Sequence, residues 1–364
     1  MGFNNPKMPW WELEATLSDR PAPGRGPGRG RDGRAPGSPS WNAGGDGPAW
    51  SRKRQPFEPD QTRPLLRPDS PAVPYAELHC HTNFSFLDGA SHPEQLAEEA
   101  ARLGLEALAV TDHDGLYGVV RFAEAARAVG LPTVFGAEIT LSHGLDATRR
   151  VRLSEEHTQQ QINTGLVPDH HSPDPAGKHL LVLADGPGGY ARLSRTLSLG
   201  HLAGEKSAPR FSLLDIADTM AGHGWVLTGC RKGAVPAALV DHGPAAAAVQ
   251  LRRLIELFGR DRVVVELWDH GDPLDSARND ALAELAARHD VACVATNNVH
   301  YATPSQRNLA TAIAAVRARC SLDELDPWLP ASTGAHLRSG AEQARRFLRY
   351  PRSEERRVGK ECRL

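Results

Sequence analysis

From Tyr75 onward, short apolar runs alternate with alanine-rich stretches whose apolar positions recur every three to four residues, the pattern of repeated strand and helix units. The continuous apolar runs predict strands over Ala76–His79, Ala107–Thr111, Thr133–Ile139, Leu180–Ala184, Trp225–Thr228, Val263–Leu267 and Val291–Thr296. Between most of them, segments of helical period carry start and stop signals: Pro93–Leu103 opens on proline and is followed by Gly104, Val119–Val129 stops at Gly130, Ala245–Phe258 stops at Gly259, and Ser276–His289 completes the set. The alternation predicts an α/β fold with a parallel, barrel-like sheet of seven strands. The pattern lapses between Ser142 and Lys178, where polar sequence including Gln159-Gln160-Gln161 and His170-His171 reads as an inserted surface loop and not as a site. It is also missing from Pro21 to about Pro74, a stretch rich in Pro, Gly, Arg and Asp that has too little apolar surface to offset the entropy of ordering and is expected to be disordered. Ahead of it, Met8–Leu13 reads either as a short docking helix or as local collapse, since Trp10 and Trp11 are adjacent and do not share a helix face.

Composition narrows the class. With 364 residues, 40% hydrophobic and 24% charged, the chain can bury at least one full core. A net charge of −2 provides no global basic field, so contact with nucleic acid requires local patches or parts outside this chain; Arg52-Lys53-Arg54 lies in the linker and reads as a solvated charge cluster. Cys80, Cys230, Cys293, Cys320 and Cys362 show no paired spacing, which argues for reduced thiols in the cytoplasm and against a zinc ribbon. The first residues lack the pattern of a secretion signal and no apolar stretch approaches the ~18 residues of a membrane span, so no membrane partner is expected.

The candidate chemistry gathers at strand ends. His79-Cys80-His81 closes the first strand, and side chains two apart on a strand point the same way, so both imidazoles can reach one ion. Among 16 histidines such a pair can also arise by chance. Its weight comes from what falls at or after other strand ends, Thr111-Asp112-His113-Asp114, Thr228-Gly229-Cys230 and Asn297-Asn298-Val299-His300, and from Gly136-Ala137-Glu138 within the third strand. Read alone, Asp112 caps a turn, Asp88 before Gly89 is a turn residue, Cys230 is a small buried hydrophobe, and His201 is equally a ligand or an exposed histidine at a helix end. Glu138 within an apolar strand resists such a reading, because a carboxylate facing a core needs a partner. His179 is the awkward member, since it precedes its expected strand. Imidazoles mixed with carboxylates and one thiolate suit Zn²⁺, Mn²⁺ or Fe²⁺ better than Mg²⁺ or Ca²⁺. The donors outnumber the needs of one tetrahedral ion, and two or three ions ~3.5–4 Å apart are suited to phosphoester hydrolysis.

Taken in order, Tyr75–His81, Ser85–Ala90, Leu108–Gly118, Phe135–Glu138, His179–Ala184, Leu227–Gly233 and Ala295–Tyr301 resemble the motifs of the PHP (polymerase and histidinol phosphatase) domain of bacterial C-family DNA polymerases, the polymerase III alpha-like enzymes. The Ser85–Ala90 and Thr228–Gly233 stretches, the tryptophan-bearing extension and His336-Leu337-Arg338-Ser339 resemble the error-prone, damage-inducible branch more than the main replicase. The resemblance implies a distorted (β/α)7 PHP barrel and a metal centre from His79, His81, Asp88, His113, Glu138, His179, His201, Cys230 and His300. In exonuclease-competent relatives an aspartate stands two residues before the last histidine, and here that position is Asn298. The site is therefore expected to be either structural or a weakened 3′–5′ exonuclease.

The implied division is an extension at 1–74, the barrel at 75–303, the start of a linker toward a polymerase palm at 304–351, and a charged, non-native tail at 352–364. No carboxylate pair suited to nucleotidyl transfer follows Tyr301, so this chain is not expected to synthesise DNA, and Mg²⁺ is expected only in the absent polymerase domain. The parent would bind DNA in damage-tolerant synthesis, with proteins of a mutagenesis complex and the sliding clamp as further partners. Two other readings stand beside this one: a stand-alone metal-dependent phosphoesterase, and a non-catalytic docking module.

Overall fold

The computed structural model describes residues 57, 59, 73–141, 177–205, 208–325 and 334–350. The Trp10-Trp11 segment, most of the 1–74 extension, the 142–176 insertion and the 352–364 tail lie outside the described residues. Seven strands run β1 (Ala76–Glu77), β2 (Ala107–Val110), β3 (Thr133–Leu141), β4 (Lys178–Ala184), β5 (Gly224–Leu227), β6 (Val263–Trp268) and β7 (Ala292–Thr296), each hydrogen-bonded to the next in sequence. Past β7 the chain returns to the start of the sheet: His81 N–H donates to Val299 O at 2.7 Å and Val299 N–H donates to His79 O at 2.8 Å. This seam rolls the sheet into the distorted seven-stranded barrel.

The sheet is not wholly parallel, as the alternation had predicted. β4 runs antiparallel to both β3 and β5, while β1–β2, β2–β3, β5–β6 and β6–β7 are parallel. A parallel partner needs a crossover, usually helical, and the sequence between β3 and β4 has no helical period. The reversal has a direct consequence for the site, because it carries the amino end of β4 to the mouth where its parallel neighbours end.

Helices α1 (Pro93–Leu103) and α2 (Val119–Val129) form where the periodicity placed them and close on left-handed Gly104 and Gly130. Their small apolar faces, Ala97 and Ala100 on one and Ala125 and Ala126 on the other, let both pack on the barrel around Phe122, which is fully buried. α3 (Gly186–Ala203) was not expected, because its Gly-Pro-Gly-Gly opening has the composition of a turn. It is followed by α4 (Leu213–Met220), α5 (Ala234–His242), α6 (Pro244–Phe258) and α7 (Asp275–His289).

Beyond the barrel, α8 (Arg307–Ala318) and α9 (Gly340–Arg346) belong to the stretch read as the start of a linker. The later described part of that stretch is packed on the barrel: Leu337 and Phe347 join its core. Arg338, 1% exposed, donates from Nη1 to Asp269 O at 2.9 Å and from Nη2 to Gly334 O at 2.8 Å.

Nearby, His270 Nε2–H donates to Asn297 O at 2.6 Å, a bond that favours the charged ring, but burial outweighs it and lowers the pKa from 6.5 to about 4. A base whose pKa is depressed by folding stabilises the fold above pH 6.5 and loses that contribution as pH falls toward 4, because the unfolded chain takes up the proton first. His270→Gln should therefore narrow its stability gap to the wild type between pH 7 and pH 4.5, by about 1–2 kcal/mol in urea unfolding. An unchanging gap would show that the imidazole is not the titrating group.

Candidate metal centre

The polar residues gather at one mouth of the barrel, and backbone pairing explains how they arrive there. Past β1 the chain stays extended to His81, between Val299 on one side and Thr111, whose N–H donates to Cys80 O at 2.8 Å, on the other. Cys80 turns into the core with Leu108 and Val299, and its two histidine neighbours turn the opposite way. Past β2 the ladder continues: Glu138 N–H donates to Asp112 O at 3.2 Å and Asp114 N–H to Glu138 O at 2.9 Å, which seats His113 opposite Glu138. The reversed β4 delivers His179 from its amino end, which removes the difficulty that its sequence position posed.

Asp112 is a brace. Its buried carboxylate accepts from Thr82 N–H at 2.7 Å, Thr82 Oγ1 at 2.8 Å and Ser85 Oγ at 2.7 Å, holding the loop that carries Asp88. The loop closes on Gly89, where a Cβ would stand 1.9 Å from Thr82 O.

Glu138, 1% exposed, is the hub. Its Oε1 lies 3.4 Å from His79 Nε2, and its Oε2 lies 3.5 Å from His81 Nε2, 3.2 Å from His113 Nδ1 and 3.1 Å from His179 Nδ1. A second carboxylate, Asp88, places Oδ2 3.2 Å from His113 Nε2 and 3.1 Å from His300 Nδ1. Three overlapping donor groups result: His79, His81 and Glu138; His113, Glu138 and His179; and His81, Asp88 and His300.

The partners behind these donors set their tautomers. Ser85 Oγ gives its proton to Asp112, so it accepts from His81 Nδ1 at 3.1 Å and leaves the Nε2 lone pair facing the cluster. Glu266, fully buried on β6, accepts from His79 Nδ1 at 2.7 Å and leaves Nε2 likewise. The sequence reading missed Glu266, yet the signal was available: like Glu138, it is a carboxylate inside an apolar strand.

Without ions the cluster must share protons. Burial opposes charge on His79, but Glu266 and Glu138 outweigh it and raise its pKa well above 6.5. Burial likewise opposes charge on His113, where Asp88 and Glu138 prevail and raise it to about 9. His81 goes the other way, lowered well below 6.5 by burial and by His113. For Glu138, burial favours the neutral acid but His179 and His79 hold it well below the usual range.

The donor chemistry fits divalent ions. His179 Nδ1 lies buried 3.1 Å from Glu138 Oε2, and His79 Nε2 and His81 Nε2 face each other at 3.1 Å, so ring nitrogens converge on the shared carboxylate. Each group has two nitrogens and one carboxylate, a set suited to Zn²⁺, Mn²⁺ or Fe²⁺ with positions left for water. Ions held there would lower the pKa of bound water and polarise phosphoryl oxygens. The chain's own residues orient the donors and exclude bulk solvent.

Two expected ligands, Cys230 and His201, stand apart from the three groups, and Asn298 brings no carboxylate to them. Cys230 Sγ is 3.8 Å from Glu138 Oε1, beside the cluster but in none of the three groups, and burial and Glu138 raise its thiol well above its usual pKa. His201 points elsewhere: on the last turn of α3, its Nε2–H donates to Asp114 O at 2.7 Å, and Tyr117 lies beside it. Asn298 adopts φ 42°, a left-handed conformation that asparagine tolerates, and its buried Oδ1 has no hydrogen-bond partner. Sequence reasoning also missed Arg317, which ion-pairs with Asp88 from α8.

The PHP domain family profile matches residues 77–270, and the chain belongs to that family. Over 96% of its length it is 48% identical to an error-prone DNA polymerase of Nocardia farcinica (strain IFM 10152), covering 31% of that protein. It is also 48% identical over 96% of its length to an error-prone DNA polymerase of Mycobacterium tuberculosis (strain ATCC 25618 / H37Rv), covering 28% of that protein. The chain thus spans less than a third of these curated relatives. Among solved structures, an amidohydrolase of Chromobacterium violaceum aligns with TM-score 0.36 and 17% identity, covering 62% of this chain and 87% of that one. Among the described residues no helix is long and apolar enough to cross a membrane.

Proposed function

We propose that this chain is the PHP portion of an error-prone C-family DNA polymerase, in which ions around Glu138 brace the fold and hydrolysis at the centre is weak. The metal centre is His79, His81, Asp88, His113, Glu138, His179 and His300, with Cys230 beside it. Zn²⁺ or Mn²⁺ are its occupants, and His201 supports the wall without ligating. Synthesis past damage, contact with DNA, and contacts with the clamp and other mutagenesis proteins belong to the larger polymerase, which works in the cytoplasm. The observation that carries this reading is the sharing of Glu138 between two donor groups in a chain so similar to error-prone polymerases.

Asn298 supports weak hydrolysis, because an amide brings no negative charge to an ion and cannot serve as a base at neutral pH. Asn298→Asp should raise Mn²⁺-dependent shortening of single-stranded DNA from its 3′ end by at least about tenfold, within the range a positioned acid–base group supplies. A gel assay with 5′-labelled oligonucleotide reads this directly. Unchanged shortening in a correctly folded variant that binds Mn²⁺ would refute the account of a site disabled at this position.

A further inference from the structure

α8 sends one side chain back into the barrel mouth. Arg317, in its last turn, ion-pairs through Nη1 with Asp88 Oδ1, while Oδ2 of the same carboxylate faces His300 and His113. Among the described residues Arg317 Nε is buried without a hydrogen-bond partner, and the ion pair with Asp88 holds the Nη1 end of the guanidinium. The arginine lies beyond the 77–270 span of the family profile.

The three donor groups therefore differ in charge. The two that share Glu138 have a carboxylate faced by imidazoles and a thiol. The group of His81, Asp88 and His300 has one anionic donor, and that donor is already matched by a guanidinium that keeps its charge at any working pH. We propose that Arg317 is the built-in counter-cation of Asp88, and that it makes the His81–Asp88–His300 position the weak, exchangeable one of the three. Arg317 is a positioning residue: it turns Oδ2 inward and cancels much of the charge that would hold an ion there. At an effective dielectric of about 20, a unit charge a few ångströms from a divalent ion changes its binding by more than about tenfold.

This inference rests on the reading of the cluster as a metal centre, and one titration separates the two. The full chain is stripped of metal and titrated with Mn²⁺, with free Mn²⁺ counted by electron paramagnetic resonance. The wild type should show a weakest class of site that tightens at least about tenfold in Arg317→Met, while the tighter classes stay within about twofold. Arg317→Lys, which keeps the charge, should remain near the wild type. Asp88→Asn should remove the weakest class in either background and so identify it. A weakest class that is unchanged or weaker in Arg317→Met overturns this proposal and leaves the metal centre standing. A wild-type chain that takes up no Mn²⁺ overturns both.

Discussion

Glu138→Gln should strip the chain of most of its metal. The amide keeps the shape of the side chain but withdraws the only charge common to two donor groups, and it leaves His79, His81, His113 and His179 without the carboxylate they converge on. Elemental analysis after dialysis against a fixed concentration of free Zn²⁺ should fall from more than one ion per chain to no more than one. The loss reaches stability as well, because removing one partner from a buried ionic cluster costs about 3–5 kcal/mol. Metal content equal to the wild type would remove Glu138 from the centre of the account.

Chelation should have the next largest effect. An ion that binds only the folded chain stabilises it in proportion to the logarithm of its saturation, about 4 kcal/mol at a thousand times the dissociation constant. For a domain of this size each kcal/mol moves the midpoint by about 2–4 °C, so a tight chelator should lower Tm by roughly 8–16 °C, and added Zn²⁺ or Mn²⁺ should restore it. The apo chain retains a hydrophobic core, with Phe122, Leu108, Ile139 and Val265 all fully buried, and is expected to stay folded at 25 °C. A Tm indifferent to chelation would mean that the ions, if bound, brace nothing.

Much of this was legible in the sequence because the signals were local. The seven strands were readable as apolar runs, and α1 and α2 as helical periods closed by glycine. The alternation of His79 and His81 about Cys80 is a property of extended backbone, and Glu138 stood out as a charge in an apolar strand. What escaped was non-local. The direction of β4 depends on how the chain returns from β3, so His179 seemed misplaced until the antiparallel register placed its end of the strand beside Glu138. Arg317 reaches Asp88 across 229 positions, from a helix that had not been foreseen. His201 has the residue type and rough position of a ligand, but which way an imidazole turns at the end of a helix is decided by its neighbours, here the Asp114 carbonyl. Glu266 carries the same local signal as Glu138, a carboxylate within an apolar strand.

The most direct test of the central claim is anomalous diffraction from crystals grown with Mn²⁺, recorded on both sides of its absorption edge. The account predicts at least two peaks at one mouth of the barrel, each within coordination distance of the Glu138 carboxylate and bounded by His79 and His81 on one side and His113 and His179 on the other. Peaks confined to the surface, or a bound ion that Glu138 does not touch, would contradict it.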